Sequence, residues 1–394
     1  MGSLFTLVFV LFTLVSAPAA FGQITYTVGG TGANYANLEA LRNARNASNQ
    51  VLLQNGDTIR LNRNDTSLLG SFTTNNLTFQ GSGRILPAAS VRFYNNTGAN
   101  GIITLDSGSL DFSSFTTNVI YAREANIIGG TNVFYGNTAG NGAAIYAHNE
   151  NGYNSANVNI DGGINTFSGN TATVGGVVNS GGGAIYALNL VSSSSASVSI
   201  TGGINTFSDN TTTRGNGGAI TAQSIGVGGS RGAEVSITGG INTFTGNTAM
   251  VGGAISANSP DSMGRINITG GTNTFIGNTA TAGGGAITAT GNSVFRATDG
   301  DFTFQGNKEG VGTAAERANA MSIGGNLTLA AEQEKDKRTA CDIAFAVSIV
   351  AAYKGIRPDT KAHQAAIDDM IDDVFATYQY VFDTVKQRIA DGYY

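Results

Sequence analysis

Between Val198 and Ala257 the chain says nearly the same thing twice. Val198-Ser199-Ile200 leads through Gly202-Gly203 to Ile204-Asn205-Thr206-Phe207, then to Asn210 and Gly217-Gly218-Ala219-Ile220. The series returns as Val235-Ser236-Ile237, Gly239-Gly240, Ile241-Asn242-Thr243-Phe244, Asn247 and Gly252-Gly253-Ala254-Ile255. Looser copies run in both directions, marked by Phe134/Asn137, Phe167/Asn170, Phe275/Asn278 and Phe304/Asn307. A unit this short buries its apolar residues only by stacking on its neighbours, so the period implies a solenoid or a propeller.

Within one unit, Val198 and Ile200 alternate with serines, the pattern of a strand with one buried face. Gly202-Gly203 breaks that strand with backbone angles that other residues reach only at a cost. Ile204 to Phe207 forms a second strand, closed by the polar turn Ser208-Asp209-Asn210. Gly217-Gly218 turns the chain again into Ala219-Ile220-Thr221-Ala222. Three strands and three turns describe one rung of a right-handed parallel β-helix, an all-β, single-stranded solenoid. A propeller needs about four longer strands per blade, which these units cannot supply.

Rungs stack about 4.8 Å apart, so like residues fall on like residues. Phe134, Phe167, Phe207, Phe244, Phe275 and Phe304 are therefore expected to form an internal aromatic ladder. Asn137, Asn170, Asn210, Asn247, Asn278 and Asn307 are expected to form a hydrogen-bonded ladder at a turn. Successive Phe residues lie between 29 and 40 positions apart. The reading assigns almost all of that variation to one row of loops after the Gly-Gly-Ala-Ile piece, at 188–197, 223–233 and 258–264.

Alternating Gly-Gly-Ala-Ile and Phe-x-x-Asn tetrapeptides resemble the repeat signature of the polymorphic outer membrane proteins of chlamydiae. The first motif stands at Gly182 to Ile185, Gly217 to Ile220, Gly252 to Ile255 and Gly284 to Ile287, and loosely at Gly142 to Ile145; the second is carried by the six Phe/Asn pairs above. The resemblance covers about half the chain. It implies a parallel β-helix passenger of autotransporter type, exported to the cell surface and used as an adhesin. That family ends in a membrane β-barrel, and nothing in the last sixty-odd residues has the pattern of one.

The flanks read differently. Residues 1–22 have the apolar core (Leu4 to Val15) and small residues (Ala17-Pro18-Ala19) of a secretory signal. Residues 23–62 read as an N-terminal cap: a strand from Ile24 to Val28, an amphipathic helix from Tyr35 to Asn46 with Leu38, Leu41 and Ala44 on one side, and entry to the first rung at Gly56 to Leu61. Residues 63–329 carry the rungs. From 330 to 394 glycine nearly vanishes and helix formers take over, giving a helical hairpin: Ala330 to Tyr353, a stop at Gly355 and Pro358, then a second helix from Thr360 with Ile367, Met370, Ile371, Val374 and Phe375 at helical spacing. The apolar stretch Ala340 to Tyr353 is too short to cross a bilayer, so no transmembrane span is expected in the mature chain.

Chemistry is sparse. One cysteine, Cys341, allows no internal disulfide, and charged residues make up 12% of the chain with a formal net charge of −5. Such a balance gives no basic footprint for nucleic acid. His148 and His363 are expected to be solvated or hydrogen-bonded, and no cofactor or metal site is expected. A glycan-cleaving enzyme would need carboxylates converging on one groove. Asp209/Arg214 at one turn and Asp299/Asp301 near Phe302 are the only suggestive pairs, and no acid recurs from rung to rung. The expected role is a secreted or outer-surface interaction module, an adhesin whose partner is a protein or glycan of a host or neighbouring cell. The alternatives are a β-helix polysaccharide lyase or glycoside hydrolase, or a structural spacer. Catalytic residues are assigned to none of these positions.

Overall fold

In the computed structural model the described residues are 24–331, except 55–56, 63–75, 86–92, 95–100, 151–154, 174–180, 192–193, 226–231, 260–261, 298–301, 312–316, 319 and 325. The expected signal at 1–22 and the expected helical hairpin lie outside them, apart from the hairpin's first two positions. Those two, Ala330 and Ala331, belong to a strand, Leu327–Ala331, that pairs in parallel with Ser293–Ala297. The solenoid thus runs slightly further than the composition change implies.

The architecture is a stack of parallel strands. The rung at the centre of the chain shows the order: Ala196–Ile200, Ile204–Ser208, Thr211–Thr212 and Ile220–Ser224. Each strand pairs in register with its equivalents above and below, giving four parallel sheets, referred to below as first to fourth in that order. The two-residue third strand was not anticipated. It follows the polar turn Ser208-Asp209-Asn210, and two residues are too few to show an alternation. Among the described residues the first sheet holds eleven strands, from Thr25–Val28 to Leu327–Ala331. At about 4.8 Å per step the stack is roughly 50 Å long.

Register converts the sequence pattern into columns. On the first sheet Val158, Val198, Val235 and Ile266 point inward in line, and Ile160, Ile200, Ile237 and Ile268 form the next column. On the fourth sheet Ile120, Ile145, Ile185, Ile220, Ile255 and Ile287 do the same. Alternate residues face outward, as a pleated strand requires.

Near the N-terminal end of the stack lies one short helix, against the expected span of Tyr35 to Asn46. It spans Leu38–Asn43, with the Asn37 side chain accepting from the Ala40 N–H and Leu38 and Leu41 buried. Ala44 is already extended. The reason lies in Asn46, whose Oδ1 accepts from the backbone N–H of Ser48 and of Gln50 and holds the chain in a turn instead of a further helical turn. Thr25–Val28 lies under Asp57–Leu61 as the first rung, and buried Asp57 is held by the N–H groups of Ile24 and Gln54.

Candidate functional site

The two expected ladders exist, and both are structural. The six Phe rings stack at centroid separations of 4.8 or 4.9 Å and interplanar angles of 1–4°. Phe112 extends the column by one more ring, 5.0 Å from Phe134. In the Asn ladder, Nδ2 of Asn170 donates both to the Phe134 carbonyl of the rung before and to Oδ1 of Asn210 in the rung after. That Oδ1 also accepts the backbone N–H of Asn170. Asn137, Asn210, Asn247 and Asn278 repeat these bonds, so each buried amide is satisfied without water; Asn307 ends the ladder.

A second Asn ladder was missed: Asn132, Asn165, Asn205, Asn242 and Asn273 are all buried. Nδ2 of Asn205 donates to the Gly202 carbonyl and to Oδ1 of Asn242. Each of these residues stands two before a ladder Phe, so it has the same parity on the strand and points inward with it. That parity was the available signal.

The row of loops needs correction. Leu188, Asn189, Gln223 and Ser224 are strand residues, so the connections begin later than expected. The chain also varies in length before the fourth sheet: Ala172 to Ile185 is much longer than Ala249 to Ile255. Loops of variable length therefore flank the fourth sheet on both edges.

The outer face of that sheet changes character along the stack. The outward position after each Ile is Tyr121, Tyr146 and Tyr186 in three consecutive rungs, then Thr221, Ser256 and Thr288. The next outward position holds His148, Leu188 and Gln223. Tyr146 stacks on Tyr186 at 5.3 Å and on His148 at 5.0 Å, and Tyr121 meets Tyr146 edge-on at 5.1 Å. The Tyr121 hydroxyl lies 2.7 Å from His148 Nδ1. The phenol is the better donor, so the imidazole is assigned as neutral with its proton on Nε2. Tyr186 donates to Gln223 Oε1 at 2.6 Å.

Three polar atoms in this neighbourhood, His148 Nε2, Arg123 Nε and Asn141 Oδ1, are buried without a hydrogen-bond partner. Arg123 otherwise donates to the Ser155 carbonyl and pairs with Glu124 at 3.1 Å, while Glu150 lies 3.9 Å from His148 Nδ1. Burial pushes the His148 pKa down, partly opposed by Glu150. Burial also pushes the Tyr146 and Tyr186 hydroxyls well up, with neighbouring charge adding to the effect, so both phenols stay neutral at any physiological pH. His148 is thus the hydrogen-bonded histidine of the two expected readings, in a packed setting that its sequence neighbours did not announce.

Asp209 and Arg214 are both exposed at the corner around the third sheet. Asp299, Asp301, His363 and Cys341 lie outside the described residues. Among the described residues no three His, Cys, Asp or Glu side chains are grouped to hold a metal ion. No helix among them is long and apolar enough to cross a membrane, a statement that leaves β-barrel spans untouched.

These features define a repeat-built parallel β-helix whose rungs carry Phe-x-x-Asn before Gly-Gly-Ala-Ile. Residues 133–148, 166–188 and 274–290 match the Chlamydia polymorphic membrane protein repeat, each match holding one Phe-x-x-Asn and one Gly-Ala-Ile or Ala-Ala-Ile. The chain carries that family's repeat at three places, and the family is one associated with the outer membrane. No curated protein and no solved structure matches the chain.

Proposed function

We propose that the protein is a surface-exposed, passenger-type adhesin that binds a partner with the loops flanking the fourth sheet and has no catalytic role. The observation that carries this reading is the contrast between the repeating interior and the loops beside the fourth sheet. The inward columns repeat one residue type from rung to rung, whereas the connections on both edges of the fourth sheet differ in length. Loops on a rigid scaffold are where recognition residues sit. The family repeat supports a surface location of autotransporter type, which is where an adhesin acts.

The test uses the purified chain incubated with host-type cells and with acidic polysaccharides, scoring bound protein and released reducing or unsaturated ends together. Saturable binding without product, reduced when 190–195 is shortened, supports the adhesin. Product above a heat-treated control overturns it in favour of a glycan-cleaving enzyme, and neither signal leaves a spacer.

A further inference from the structure

We infer that the outer face of the fourth sheet around Tyr121, Tyr146 and His148 is a binding site for an uncharged sugar residue. The inference rests on the surface-interaction reading and gives that surface a ligand class.

Along the tyrosine column the fourth sheet is open to solvent at Tyr121 and Tyr146 and covered at Tyr186. Thr221, Ser256 and Thr288 fill the Tyr column in later rungs of the same sheet, in unbroken register. Thr221 and Ser256 are buried, as is Tyr186, so Tyr121 and Tyr146 are the tyrosines of this column that keep ring surface exposed. To this are added the unmet hydrogen bonds. The His148 side chain is only 10% exposed, and its Nε2–H has no acceptor. Ala147 pairs with Ala122, so the next residues, His148 and Arg123, are neighbours one rung apart. Two unpaired donors, His148 Nε2–H and Arg123 Nε–H, thus belong to residues that are neighbours in register at the edge of an aromatic cluster. Leaving such groups unpaired costs about 1–3 kcal/mol each; both atoms are shut off from solvent, so a ligand oxygen removes that deficit with a side-chain shift that uncovers them.

Ligand chemistry follows from what surrounds those donors. Tyr121 and Tyr146 are half-buried and offer ring surface to aliphatic C–H groups. Glu124 and Glu150 offer acceptors beside the donors, and Asn141 Oδ1 is an acceptor without a donor. A hydroxyl both accepts and donates, so a polyhydroxylated ring satisfies the mixed set; a carboxylate or phosphate only accepts. With His148 neutral, Arg123, Glu124 and Glu150 sum to one negative charge, which disfavours an acidic sugar.

Saturation-transfer NMR on the full chain tests this, with the methyl glycosides of glucose, galactose, mannose and N-acetylglucosamine as probes and glucuronic and N-acetylneuraminic acids as charged controls. Transfer to at least one neutral glycoside is expected, weakened at least tenfold in Tyr121→Phe and His148→Gln, with little transfer to the acids. No transfer to any neutral probe, equal transfer to the acids, or transfer that survives both substitutions overturns the assignment. Should a variant misfold, the His148 ring resonances of the unaltered protein decide the matter: they shift with the bound glycoside, and unshifted resonances under saturable transfer overturn the site. Cell attachment is scored in parallel. Attachment with no sugar signal sinks the sugar site and leaves the surface reading standing; a sugar signal with no attachment does the reverse.

Discussion

The inward and outward columns of this solenoid obey different rules. Inside, Phe167, Phe207, Phe244 and Phe275 superpose ring on ring, and Asn170, Asn210, Asn247 and Asn278 pass hydrogen bonds from rung to rung. A residue there is fixed by the copies above and below it, because only an identical neighbour completes both the stack and the amide bonds. On the opposite side of the fourth sheet, the partly exposed Tyr121 and Tyr146 give way to the buried Tyr186, Thr221 and Ser256 in unbroken register. On the second sheet's outer face Ile164, Ile204 and Ile241 remain about half exposed in one column. Repetition marks what the fold needs; departure from it leaves room for recognition only where the side chains also stay exposed, as at Tyr121 and Tyr146.

The largest test of that contrast is Phe207→Ala, which opens a cavity in the middle of the aromatic ladder. It is expected to cost about 3–5 kcal/mol by urea denaturation, whereas Thr206→Ala on the outer face of the same strand stays within about 0.5 kcal/mol. Equal losses at the two positions would break the comparison. Next comes Asn210→Ala. It leaves the Asn170 amides without their acceptor and the Phe167 carbonyl without its donor, for about 2–4 kcal/mol in the same assay at about 1–3 kcal/mol per orphaned group.

Glycines sharpen the comparison at smaller scale. Gly217 has φ +57°, and a Cβ there would lie 2.0 Å from the Ile220 carbonyl oxygen; Gly277 has φ +61° with open space around it. Gly217→Ala should lower the melting temperature markedly, while Gly277→Ala pays only the left-handed backbone cost of about 1–2 kcal/mol. The smallest effect belongs to His148. Burial lowers its folded-state pKa below the ordinary value of 6.5, so folding favours the neutral ring. Its contribution to stability is complete above the unfolded pKa and is lost as pH falls from there towards the folded pKa. Melting curves between pH 7.5 and 5 should show His148→Gln flattening that decline; an unchanged slope would remove His148 as its source.

Much of this was legible beforehand because stacking turns sequence repetition into spatial contact. The Phe and Asn of each unit recur at one place in the rung, so their ladders followed from the repeat alone. The third strand escaped notice because two residues carry no period. The second Asn ladder was in plain view as Asn205 and Asn242, yet an Asn within a strand reads as polar and outward until its parity with Phe207 is followed. The functional candidate was harder to see. Tyr121 and Tyr146 each follow the repeat's Ile in Ile-Tyr-Ala, but unequal intervals separate them from each other and from His148's neighbours in space, and register sets them side by side.

The sequence by itself determined the class of fold, the order of the three longer strands within a rung and the identity of most buried columns, since period-2 alternation and a recurring unit leave one way to bury those side chains. Tertiary structure alone decided which outward residues meet. Outward side chains are set by which rung lies next to which, and loops of differing length hide that adjacency from the linear chain. Parallel pairing at about 4.8 Å restores it, bringing Tyr121 to His148 and leaving Nε2 and the Arg123 Nε in want of partners.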